Sequence, residues 1–161
     1  MNKKHDIIIA IDPDVDKSGF AVLLPKAREL YLFSLPFPQL LDELRQQQKN
    51  AEKDGYSLIV LVEAGWLVKS NWHLRLSDNK RTAAAKGNSA GRNHETGRKI
   101  VEMCRHYGLE VIERRPLVKH WKGPDGKITH DEFTYLTGYT RQTNQETRDA
   151  GLICWDFAAL P

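Results

Sequence analysis

The sequence has only two cysteines, Cys104 and Cys154, without the C-x-x-C spacing of a zinc or redox site. Disulfide scaffolds and cysteine-built metal centres are thereby excluded. Both cysteines fall on apolar helical faces and are expected to be packed, reduced thiols. No apolar run approaches the ~18 to 20 residues of a membrane span. Internal repeats and extended low-complexity linkers are also missing. The basic opening Met1-Asn2-Lys3-Lys4 leads into a strand-like run with no small-residue cleavage site, so the expected location is the cytoplasm. At 161 residues, 40% of them hydrophobic, the chain can bury one good core and is too short for two. A single domain spanning 1–161 is expected.

What is there begins with Ile7-Ile8-Ile9-Ala10-Ile11, a continuous β-branched run that reads as a central strand buried on both faces. Pro13 cannot donate to a ladder, so the strand stops at Asp12. A carboxylate at the tip of a core strand is rigidly held and open to solvent, although Asp12 could equally be a turn-forming residue before proline. Ser18 to Leu24 and Leu30 to Leu35 follow after short connections, which predicts an antiparallel meander. A helix is expected from Pro38 to Asp54, with Asp42 and Glu43 in its first turn and Gly55 as terminator.

Leu58-Ile59-Val60-Leu61-Val62 is a second fully apolar strand, ending on Glu63. A strand reached through a helix runs parallel to its neighbour by a right-handed crossover. Placed beside the first strand, it makes Glu63 the neighbour of Asp12. A helix from Ser89 to Tyr107, with Thr96, Ile100, Met103 and Tyr107 at core spacing, leads to an edge strand at Leu109 to Glu113. Thr129-His130-Asp131-Glu132 is a capping-box signature that opens a short helix. The last helix runs from Thr143 or Asn144 to Phe157, with Ala150, Ile153, Cys154 and Phe157 buried. Glu146 and Asp149, three apart, share one of its faces. Thr143-Asn144-Gln145-Glu146 also matches a capping box, which alone would account for Glu146; Asp149 borders the packed face, where an acid wants a cation.

The formal net charge of +3 hides an asymmetry. Between Lys69 and Lys99 lie eight basic residues (Lys69, Arg75, Lys80, Arg81, Lys86, Arg92, Arg98, Lys99) and two acidic ones, Asp78 and Glu95. Trp66 and Trp72 stand at the entrance of this stretch, which also carries the small-residue tract 82–91 and reads as a mobile loop. Basic residues interleaved with aromatics suit phosphate neutralisation and base stacking. Trp66, Lys69, Arg75, Lys80, Arg81, Lys86 and Arg92 are therefore the candidate nucleic-acid contacts. A solvated charged face and, for Trp66, a place in the core are the competing readings. The six histidines show no zinc spacing, with His120 and His130 the expected neighbours of the acids.

Ile11-Asp12-Pro13 with Gly19-Phe20, Glu63 followed by Trp66, and Glu146-Thr147-Arg148-Asp149-Ala150 together resemble the motifs of RuvC-type Holliday-junction resolvases. Lys119 falls where that family carries a lysine near the active centre. The resemblance spans residues 6–158. It implies an α/β RNase H-like fold, with a mixed five-stranded sheet of order 3-2-1-4-5 flanked by helices. It also implies catalytic roles for Asp12, Glu63, Glu146, Asp149 and Lys119, the four acids ligating two Mg²⁺ that Mn²⁺ could replace. The implied activity is a DNA endonuclease of recombination and repair that cuts branched DNA as a homodimer. Asp14 stands where the family commonly has glycine, Glu146 where aspartate is commoner, and the loop after Glu63 is unusually long. A ribonuclease of RNA-DNA hybrids is one alternative, although that group usually draws a ligand from the first helix, where Glu43 leans to solvent. A non-catalytic junction-binding module is another, and the intact acids weigh against it.

Overall fold

A computed structural model describes residues 4–68 and 79–161. The candidates Lys69 and Arg75, with Trp72 and His73, lie outside the described residues. Five strands, β1 (Ile7–Asp12), β2 (Ser18–Leu24), β3 (Glu29–Leu35), β4 (Leu58–Glu63) and β5 (Glu110–Arg114), form one sheet of order β3-β2-β1-β4-β5. β1, β2 and β3 pair antiparallel, as the short connections require, while β1–β4 and β4–β5 are parallel. This is the mixed α/β sheet and strand order expected.

Among the described residues there are four α-helices, α1 (Phe37–Asp54), α2 (Lys80–His106), α3 (His130–Thr137) and α4 (Gln145–Ala158); α1, α2 and α4 pack on the sheet and α3 on α4. The two continuous apolar strands lie at the centre, where both faces are buried. Ile9, Ile11, Val60 and Val62 point into a cluster with Leu40 and Leu44 of α1 and Ile100 and Cys104 of α2. Their neighbours Ile8, Ala10, Ile59 and Leu61 point to the other side, against Ala150, Ile153 and Cys154 of α4. Both cysteines are buried free thiols. Desolvation pushes the Cys104 thiol up to about 12 and the Cys154 thiol higher still, so neither is a nucleophile near neutrality.

Three expectations are corrected. α2 starts at Lys80, nine residues before Ser89, so the tract from Thr82 to Gly91 is helical; the Asn79 side chain caps it, accepting from the Thr82 amide at 2.8 Å. Its buried stripe is Gly97, Ile100, Val101 and Cys104, one step round from the stripe inferred through Thr96, Met103 and Tyr107. α1 begins at Phe37 and has no acid in its first turn, which puts Asp42 and Glu43 one turn further on. The Glu43 carboxylate accepts from Gln47 at 3.0 Å.

Candidate active site

Because β1 and β4 are parallel and in register, with Ile11 opposite Val62, their acidic ends emerge together at the carboxyl edge of the sheet. Asp12 and Glu63 come within side-chain hydrogen-bonding reach of each other. Asp149 and Glu146 arrive from α4, and all four acids line one cavity of about 230 Å³. That volume lies below the ~300–1,000 Å³ of typical small-molecule pockets.

Asp12 feels the crowding most. Burial, then the negative charges of Glu63, Asp149 and Glu146, hold its carboxyl well above the usual carboxylate range, with Lys127 acting against them. Glu63 is raised as well, first by burial and then by Asp149, while Lys119 pulls it down. Burial also raises Asp149, against the Gln145 amide, which donates to it at 2.8 Å, and the charges of Lys127, Lys119 and Arg148. Lys127 Nζ lies 4.0 Å from Asp149 Oδ2. Two lysines therefore partly neutralise a site that holds more negative charge than its burial favours.

The capping role inferred for Glu146 is not found. Asn144 is the N-cap of α4, and its reciprocal partner is Thr147: the Thr147 amide donates to Asn144 Oδ1 at 2.9 Å, and the Asn144 amide to Thr147 Oγ1 at 3.0 Å. Glu146 sits one residue earlier, in the first turn, and borders the cavity. The helix dipole favours a carboxylate there.

Trp66 lies in a short 3₁₀ turn, Gly65–Leu67, directly after β4. It is half-buried against the α1–α2 cluster and also borders the cavity. The histidine at the cavity is His94 of α2, not His120 or His130. His94 packs edge-on against Trp66, at 6.3 Å between ring centroids. Burial, and after it the Arg98 guanidinium, lowers the His94 imidazole below the ordinary histidine range. His120 instead stacks on Trp121, and His130 bonds Thr143 Oγ1 at 2.8 Å. Lys119 lines the cavity; Lys127 was not among the candidates, because only the turn at Gly123–Gly126 brings it back to the acids. Of the basic candidates that are described, Lys80, Arg81 and Arg92 are exposed on α2, and Lys86 is partly covered.

Oxygen donors of this kind suit hard divalent cations, and the mutual repulsion at Asp12 is what a bound cation would relieve. The side chains as they stand do not enclose an ion: among the described residues, no three His, Cys, Asp or Glu close around one metal position. The donors fit by chemistry and by their shared cavity, with Asp12 and Glu63 as the close pair.

No protein-family model and no curated protein matches the chain. Among solved structures, T. thermophilus RuvC in complex with a Holliday junction substrate is similar at 12% identity. The match covers 93% of this chain and 90% of that one, with a TM-score of 0.46. No described helix is long and apolar enough to cross a membrane.

Proposed function

We propose that the chain is a metal-dependent endonuclease that cuts branched DNA, four-way junctions in particular, by phosphodiester hydrolysis. The observation that carries this reading is the convergence of Asp12, Glu63, Glu146 and Asp149 from two parallel strand ends and one helix on a single cavity. In it, the four acids would hold two Mg²⁺. Bound there, such ions supply a hydroxide near neutral pH and stabilise the leaving oxygen.

The chain's own residues set the rest. Asp12 and Glu63 are fixed by the sheet, so their separation does not depend on a loop. Gln145 orients Asp149 by donating to one carboxylate oxygen, which leaves the other facing Lys127. Lys119 and Lys127 offer positive charge beside the acids, suited to a phosphate entering among carboxylates that would otherwise repel it. The acid-free run Lys80–Asn93 of α2 gives phosphates further along the substrate a surface of one sign. A pair of such chains would cut two opposed strands of a junction together.

The ribonuclease alternative has less support, because Glu43 is not among the residues bordering the cavity and is engaged by Gln47. The test is cleavage of a labelled four-way junction, a linear duplex of the same sequence and an RNA-DNA hybrid, each with Mg²⁺ and with EDTA. Metal-dependent cutting confined to the junction is expected. Preferential cutting of the hybrid would replace this reading with the ribonuclease one.

A further inference from the structure

The segment between β5 and α3 brings more than lysines to the cavity. Trp121 borders it as well, and this tryptophan belongs to none of the motifs that identify the acids. Leu117, four residues before it, packs with the α4-side cluster, whereas Trp66 packs with the α1–α2 cluster on the opposite face of the sheet. Two indoles, Trp66 and Trp121, thus border the cavity that holds the acids.

Trp121 is held in a rigid setting. Its amide donates to Gly126 O at 2.9 Å and the Gly123 amide to Lys127 O at 2.9 Å, closing a tight loop. Asp125 and Gly126 take positive φ to complete it, at 56° and 76°. The Lys122 amide donates to Glu132 Oε1 at 3.1 Å, which ties the loop to the capping box of α3. His120 stacks on the indole at 4.5 Å between centroids, 30° from parallel. Val118, 83% exposed, lies on the same segment and also lines the cavity. Burial in the core would explain a tryptophan without further argument, but this one is only half-buried. Its Nε1 is enclosed without a hydrogen-bond partner among the described residues. A partly exposed aromatic ring fixed beside a charged cavity suits a stacking platform.

Taking the branched-DNA reading as its basis, we infer that Trp121, backed by His120, stacks on a nucleobase unpaired at the branch point, and so contributes to the preference for branched over linear DNA. Nucleobases are the substrate component with a flat π-face, and a branch point is where they come unstacked. Trp121 is a substrate contact in this account and takes no part in the hydrolysis.

The test is DNA affinity in EDTA, where cutting does not intervene, for wild type, Trp121→Phe and Trp121→Leu. Each binds an intact four-way junction, the same junction with abasic sites at the branch point, and a linear duplex; thermal unfolding is recorded alongside. Trp121→Leu is expected to lose roughly 5- to 150-fold in affinity for the intact junction, the range of one base–aromatic stack. Its duplex affinity should stay put with the chain still folded at the assay temperature, and Trp121→Phe should keep most of the binding. The wild-type penalty for abasic sites should shrink in Trp121→Leu, because both changes remove the same contact. Equal affinity of wild type and Trp121→Leu for the intact junction overturns the inference. So does a parallel loss on junction and duplex with a lowered melting temperature, which would make Trp121 a brace for its loop. Wild type that binds junction no better than duplex would remove the branched-DNA reading itself and this inference with it.

Discussion

Gly19 of β2 lies directly against the carbonyl of Glu146 in the first turn of α4: a methyl group on residue 19 would overlap that oxygen and crowd the Thr147 amide. The obstacle is backbone and cannot swing aside, so α4 seats on the sheet only because residue 19 lacks a side chain. Gly19→Ala should push the start of α4 outward and carry Glu146 and Asp149 away from Asp12 and Glu63. Overpacking of this kind costs about 1–3 kcal/mol. Melting temperature should therefore fall by several degrees while the chain stays folded, and nuclease activity should fall at least ~10-fold, the effect of ~1.4 kcal/mol on a rate. Full activity in folded Gly19→Ala would show that the seating of α4 does not govern the acids.

Asp12 gives a prediction for the metal-free protein. Its carboxyl in the folded chain titrates well above the ordinary value of 3.8, so the folded state keeps a proton that the unfolded state has released. Stability contributed by this group consequently falls as pH rises from 3.8 towards the raised folded value, and stays lost above it. Asp12→Asn removes the charge, and in EDTA near neutrality it should melt a few degrees above wild type. The gain should shrink as pH is lowered towards 3.8. If the acids hold Mg²⁺ as proposed, the ion should raise the melting temperature of wild type and raise that of the variant less. Asp12→Asn melting below wild type in EDTA would contradict the crowding described.

The basic half of α2 predicts a salt effect. Each phosphate contact contributes about 0.9 to the slope of log affinity against log salt, so replacing Lys80, Arg81 and Lys86 by alanine should flatten that slope by up to about 3. Binding should weaken alike for junction and duplex. An unchanged slope would return these residues to an ordinary solvated helix face.

Trp66 has two contacts to lose. It packs on the α1–α2 cluster and meets Gly97 so closely that a methyl group there would lie 2.5 Å from its Cζ3, and it borders the cavity as well. Trp66→Ala should lower stability, at the low end of the ~3–5 kcal/mol of a fully buried tryptophan because the ring is only half-buried. Junction affinity should drop too. Trp66→Phe, which keeps the packing, should recover most of the melting temperature. An unshifted melting temperature in Trp66→Ala would mean that the ring serves the substrate alone.

The central sheet was legible because β1 and β4 are unbroken apolar runs rich in β-branched residues, the pattern of strands buried on both faces. Their acidic ends followed from the crossover rule, since parallel strands finish at the same edge. The start of α2 was hidden: Gly87, Asn88, Ser89 and Gly91 are poor helix formers and read as loop, yet Asn79 caps a continuous helix and Ala83–Ala85 favour it. Placing the cap at Asn144, with Thr147 as its reciprocal partner, is a shift of one residue that sequence spacing does not resolve. That shift releases Glu146 to face the cavity. His94 and Lys127 were out of reach for a different reason: their places depend on how α2 and the Gly123–Gly126 turn fold back on the sheet edge, and no local pattern encodes that.

The most direct test of the four-acid site is cleavage of one end-labelled four-way junction in Mg²⁺ by wild type and by Asp12→Asn, after both have been shown to bind it equally in EDTA. The proposed function predicts cutting by wild type and none detectable by the variant, because in that reading Asp12 would ligate a cation and contact no phosphate. Cutting at the wild-type rate by Asp12→Asn would contradict it.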